Sequence, residues 1–192
     1  MTIPEVFRYA GWSAYLSAAA TIVGFVTLIV FFSVGEPFGT INDISSIILA
    51  LSLLPLALAL YLLQRPCAAL LSLIALIIGI CAMLAASILQ ILLVLRVVKL
   101  ELTLVAVPAA FGVVGVWLLL NSSLALASGT LPSGLAWVGM VAGVGYILVI
   151  LGFILGGQQH PLTAVGGLAA VIGYPIWAIW IGGLLLSGRL IA

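Results

Sequence analysis

From Leu102 to Gly188 the chain carries no Lys, Arg, Asp or Glu, and the same is true from Ile44 to Gln64 and from Pro66 to Leu95. Runs of that kind cannot clothe a water-soluble domain, in which about a quarter of residues are charged. Here the charged fraction is 5% against 66% apolar residues. A β-barrel would alternate apolar and polar positions over short segments, and these runs do not alternate. Hydrocarbon obliges each crossing segment to satisfy its own backbone, which a helix does. The fold class expected is therefore all-α, a polytopic transmembrane bundle.

Turn residues divide the chain into six apolar helices with short loops. The spans run from about 11–34, 44–63, 67–95, 102–127, 135–156 and 162–187, forming one domain over 1–192. Residues 2–10 are an amphipathic lead-in with Glu5 and Arg8. The first apolar run continues to Phe32, too long for the apolar core of a signal peptide, so it is expected to be a retained span. GEPFGTIND, Gly35 to Asp43, is a polar island that breaks span 1, and Asp43 is placed to cap span 2. Gln64, Arg65 and Pro66 suggest a tight turn between spans 2 and 3. Pro55, Pro108 and Pro175 fall inside spans and should kink them or free a carbonyl.

Six crossings put both termini on one side, A, with Glu5, Arg8, Arg65 and Arg189. Side B then holds Glu36, Asp43, Arg96, Lys99, Glu101 and His160. Basic residues number three on A and two on B. The positive-inside rule accordingly places both termini in the cytoplasm.

Two stretches look alike. VGFVTLIVFF from Val23 and VGYILVILGF from Val144 each open Val-Gly-aromatic, and each leads through a proline-bearing loop to a mid-helix proline. Spans 1–2 and 5–6 would then be parallel hairpin repeats, as in transporters that bind solutes between such halves. Span 5 also carries Gly139/Gly143 and Gly152/Gly156, a spacing that lets helix backbones approach closely. Contact within the chain is the expected use.

Candidate chemistry is sparse. Glu36, Asp43 and His160 have the donor types for a divalent metal, but no ligand spacing supports one, and no metal is expected. Tyr174, Trp177 and Trp180 form a stripe able to stack on a flat apolar cofactor; helix packing is the favoured use. His160 alone could ligate a pigment. No cofactor is expected. Proton relays and voltage sensors rely on ionisable groups inside spans, and these spans have none. No catalytic set or nucleotide loop is present, nor any basic patch for nucleic acid. Cys67 and Cys81 lie about 21 Å apart along one helix, too far to bond, and are expected to pack as thiols.

RYAGWSAYLS from Arg8, FFSVGEPFGTINDIS from Phe31, GLAWVGMVAGVGY from Gly134, QQHPLTAVGGL from Gln158 and YPIWAIWIG from Tyr174 together resemble an uncharacterised bacterial family of small multi-pass membrane proteins. The resemblance covers most of the chain and rests on glycines, aromatics and prolines. It implies a bacterial inner-membrane protein and brings no activity or site residues. The expected role is a non-enzymatic accessory or scaffold subunit whose partners are the bilayer and other membrane subunits. Alternatives are a small carrier of a neutral or hydrophobic solute, or a binder of a hydrophobic cofactor or pigment.

Overall fold

The computed structural model describes residues 2–190. Five long helices carry the fold: α1 (Ile3–Val34), α2 (Phe38–Val94), α3 (Leu100–Ser128), α4 (Ser133–Gly156) and α5 (Pro161–Leu186), with a single 3-10 turn at Gly157–Gln159 before α5. All five are long and apolar enough to cross a membrane. This is the architecture of a multi-pass membrane protein.

Short-range chemistry sets the helix ends. The lead-in belongs to α1: the Thr2 amide donates to Glu5 Oε2 at 2.7 Å, tying down a first-turn N–H that has no intrahelical acceptor. Gly35 ends α1 at φ +86° and Gly129 ends α3 at φ +67°, a region that a Cβ disfavours. His160 caps α5, its Nδ1 accepting the Leu162 amide at 3.3 Å.

Two expectations change here. Asp43 is not the cap of α2, which begins at Phe38, so that Asp43 sits in its second turn. The capping work falls to Glu36, whose Oε2 accepts from the Thr40 amide at 3.2 Å and from Thr40 Oγ1 at 2.9 Å. Likewise, the expected six helices appear as five, because spans 2 and 3 join without an intervening loop in one long helix that bends sharply. Spans 2 and 3 merge into the 57-residue α2, which runs through Gln64, Arg65 and Pro66 and departs from helical geometry only at Ala68 (φ −150°, ψ 65°). The break falls just past the expected turn, and Gln64 itself packs inward. Its side chain is buried and its Nε2 donates to the Asn121 carbonyl at 2.9 Å. It is a core residue, not a turn residue.

A straight helix of that length would extend about 85 Å. Instead Ala50 and Ala86, both in α2, pack into one cluster with Ala110 of α3. The limbs before and after Ala68 therefore fold back on one another.

Helix neighbours follow chain order and then close: α1 touches α2, α2 touches α3, α3 touches α4, α4 touches α5, and α5 returns to α1. Glycines set the tight seams. A Cβ on Gly143 of α4 would stand 2.7 Å from the Gly115 carbonyl oxygen of α3, and one on Gly145 would stand 2.8 Å from the Gly166 carbonyl oxygen of α5. Gly139/Gly143 thus joins α4 to α3, and Gly152 meets Thr163 of α5, both within the chain. At the closing seam a Cβ on Gly182 would stand 3.0 Å from the Gly11 carbonyl oxygen. Tyr174 and Ser17 hydroxyls bond across the same seam at 2.6 Å.

One contact recurs at the same spacing in the paired hairpins. Gly24 of α1 faces Ser45 of α2, and Gly145 of α4 faces Gly166 of α5. Both partners lie 21 residues downstream of their glycine.

Candidate functional site

A chain of aromatic rings runs through α3, α4 and α5. Phe111 of α3 stacks on Tyr146 of α4, with centroids 6.1 Å apart. Tyr146 meets Tyr174 of α5 edge-on at 6.2 Å, and Tyr174 meets Trp177 at 6.0 Å. Trp177 then reaches Trp117 of α3 edge-on at 6.3 Å. Trp117, Tyr174 and Trp177 have no exposed surface. Edge-on and offset pairs of this kind add attraction beyond their burial. The chain of rings plugs the middle of the bundle. The expected stripe divides accordingly: Tyr174 and Trp177 face inward, whereas Trp180 is 42% exposed and lies over Gly134.

Toward side A, polar groups gather beside this plug. Asn121 Nδ2 donates to the Trp117 carbonyl at 2.8 Å, and Gln64 Nε2 donates to the Asn121 carbonyl. Gln64 Oε1, Ser122 Oγ and the indole nitrogens of Trp117 and Trp177 are buried without a hydrogen-bond partner. Ser122 and Trp177 both abut Gly139 of α4; Trp117 abuts Gly79 of α2. Gln64, Trp117 and Ser122 were not among the candidates read from sequence. Their signal was present as polar residues inside or at the edge of uncharged runs.

At side B the polar groups are more dispersed. Asp43 is half-buried near the start of α2. Asn42 Nδ2 lies 3.5 Å from Asp43 Oδ1, and Gln90 Oε1 is buried without a partner. Glu36 is engaged by Thr40, and His160 by its own helix start. Among the described residues no three His, Cys, Asp or Glu side chains come together as a metal could require, so Glu36, Asp43 and His160 do not form one ligand set. Cys67 and Cys81 are exposed, not packed as expected, and unbonded.

Two concavities mark the outside. A groove of about 420 Å³ lies between α4 and α5, lined by apolar groups that include Trp137, Val141, Leu168 and Ile172. A smaller one, about 270 Å³, sits at the side A end of the α1–α5 seam, between Glu5, Arg8, Leu185 and Gly188.

No family model, curated protein or solved structure matches the chain.

Proposed function

We propose that this is a non-enzymatic integral membrane protein that works as an accessory or scaffold subunit of a membrane complex. The observation that carries the reading is the aromatic plug of Trp117, Tyr174 and Trp177, which fills the bundle interior, while the larger groove opens outward between α4 and α5. A bundle of this form meets other molecules through its outer apolar face. In this reading α2 contributes two crossings, six in all, with both termini in the cytoplasm of a bacterial cell and the bundle in its inner membrane, in keeping with the family resemblance. Purification in mild detergent with crosslinking in native membranes tests the role. A defined co-purifying membrane protein is expected; a lone monomer with no crosslinked partner overturns it.

One observation favours a second reading, a carrier of a neutral or hydrophobic solute. The Gly24–Ser45 and Gly145–Gly166 contacts recur at the same offset, as a duplicated hairpin requires, and duplicated hairpins are common in carriers. Such a carrier would have to open the aromatic plug. Replacing Trp117 with Ala should then raise solute flux in proteoliposomes; unchanged flux of every neutral solute assayed would rule the carrier out.

A further inference from the structure

The groove at the side A end of the bundle lies where α1 begins and α5 ends, lined by Pro4, Glu5, Arg8, Leu185, Leu186 and Gly188. Two opposite charges stand on its α1 wall. Glu5 and Arg8 are three residues apart, which puts them on one helix face with Cβ atoms about 5–6 Å apart. Neither charge uses up the other. Glu5 gives one oxygen to the Thr2 amide at 2.7 Å, and the Arg8 guanidinium lies 5.8 Å from the centre of the Tyr9 ring. The α5 wall is apolar, formed by Leu185 and Leu186. Below, the seam is shut. Leu186 Cγ stands 2.7 Å from where a Cβ on Gly11 would be, and the Gly182 carbonyl oxygen stands 3.2 Å from it. The groove therefore does not run on into the bundle.

Its level in the bilayer follows from α1. Trp12 is 63% exposed and four residues on from Arg8, about 6 Å along the helix. An exposed indole near a helix end belongs at the headgroup boundary, so Glu5 and Arg8 stand among the headgroups.

The charges select the occupant. A lone phosphate would be drawn to Arg8 and repelled by Glu5; a lone cation would be drawn to Glu5 and repelled by Arg8. A head that carries phosphate and ammonium on neighbouring atoms satisfies both. A primary ammonium donates charge-assisted N–H bonds to a carboxylate, whereas a trimethylammonium has no N–H to give. The helix ends follow the same pattern, the start of α1 being partly positive and the end of α5 partly negative.

We propose that this groove binds the head of a phosphatidylethanolamine molecule, its phosphate on Arg8, its ammonium on Glu5, and the top of a fatty chain against Leu185 and Leu186. The lipid ties the first helix to the last. The site does not depend on whether the bundle has a protein partner.

Native mass spectrometry of the detergent-purified protein tests this, with phosphatidylethanolamine, phosphatidylcholine and phosphatidylglycerol of identical chains each supplied at equal concentration. The wild-type protein is expected to retain the ethanolamine lipid about threefold better than either other, the scale of an exposed ion pair. Glu5→Gln should abolish that preference; glutamine also serves in a capping box, so α1 keeps its start. Arg8→Gln should weaken retention of all three. Glu36→Gln, the same change on side B, should leave the preference intact. Equal retention of the ethanolamine and choline lipids, strongest retention of the glycerol lipid, or a preference that survives Glu5→Gln overturns the proposal. Displacement of the lipid by an equal concentration of water-soluble phosphoethanolamine would assign the groove to a soluble ligand and overturn it as well.

Discussion

Arg96, just past the end of α2, holds φ +57°, a conformation in which its Cβ crowds the following carbonyl at a cost of about 1–2 kcal/mol. Glycine removes that crowding and returns part of the gain through the freer unfolded chain. Arg96→Gly is expected to raise stability by about 0.5–1 kcal/mol, measured as a higher unfolding midpoint in detergent micelles. Tyr174 makes the opposite kind of contribution. Its hydroxyl bond to Ser17 joins the first and last helices within the bundle. Interhelical hydrogen bonds in membranes average about 0.6 kcal/mol, so Tyr174→Phe should destabilise by roughly that amount. In a double-mutant cycle, Ser17→Ala should add almost nothing to it.

Helix boundaries show what a single sequence can and cannot express. The starts and stops of α3, α4 and α5 are legible because Gly129, Gly157 and Pro161 act locally: a left-handed glycine or a leading proline needs no tertiary partner to do its work. The α2 limbs are legible as two apolar runs, and their join is legible to within a few residues: Gln64-Arg65-Pro66 has the composition of a turn, and the break falls at Ala68. The burial of Gln64 is not legible, because its partner is the carbonyl of Asn121, more than fifty positions away. The same distance hides the buried polar set, since Ser122 and Trp177 acquire meaning only when both meet Gly139. Glycines are the converse case, legible as close-contact residues but not as to which contact. Gly79 and Gly167 separate the two possibilities. A Cβ on Gly79 would run into the Trp117 indole, whereas nothing lies within 4 Å of one on Gly167. Overpacking against a buried ring costs about 1–3 kcal/mol, so Gly79→Ala should destabilise by that order. Gly167→Ala should be neutral or gain up to about 1 kcal/mol of helix propensity. Chemical or thermal unfolding of the two variants side by side checks both.

Exposed aromatics are uneven over the whole bundle. Tyr9, Trp12, Trp137 and Trp180 are all exposed, and each lies within about two and a half turns of a side A helix end, where an interfacial belt would anchor the bundle. At side B the exposed ring is Phe32, which has no polar tip for the headgroup layer. Side A is thus marked by rings as well as by Arg8, Arg65 and Arg189, and the position of the bend at Ala68, just past Arg65, decides the crossing number. If α2 crosses twice, positions 36, 97 and 158 share one face of the membrane, and positions 65, 130 and 187 share the other. If it crosses once, every later connection changes side and the termini separate. Exposed Cys67 and Cys81 must first be replaced by Ala, which their exposure should make mild. Single cysteines are then placed at Glu36, Val97 and Gln158, and at Arg65, Thr130 and Ser187, and labelled with a membrane-impermeant maleimide in right-side-out and inverted vesicles. Two classes of three are expected, with Arg65→Cys and Ser187→Cys labelled from the same face. Labelling of Thr130→Cys together with Glu36→Cys would instead assign a single crossing to α2, and with it termini on opposite sides.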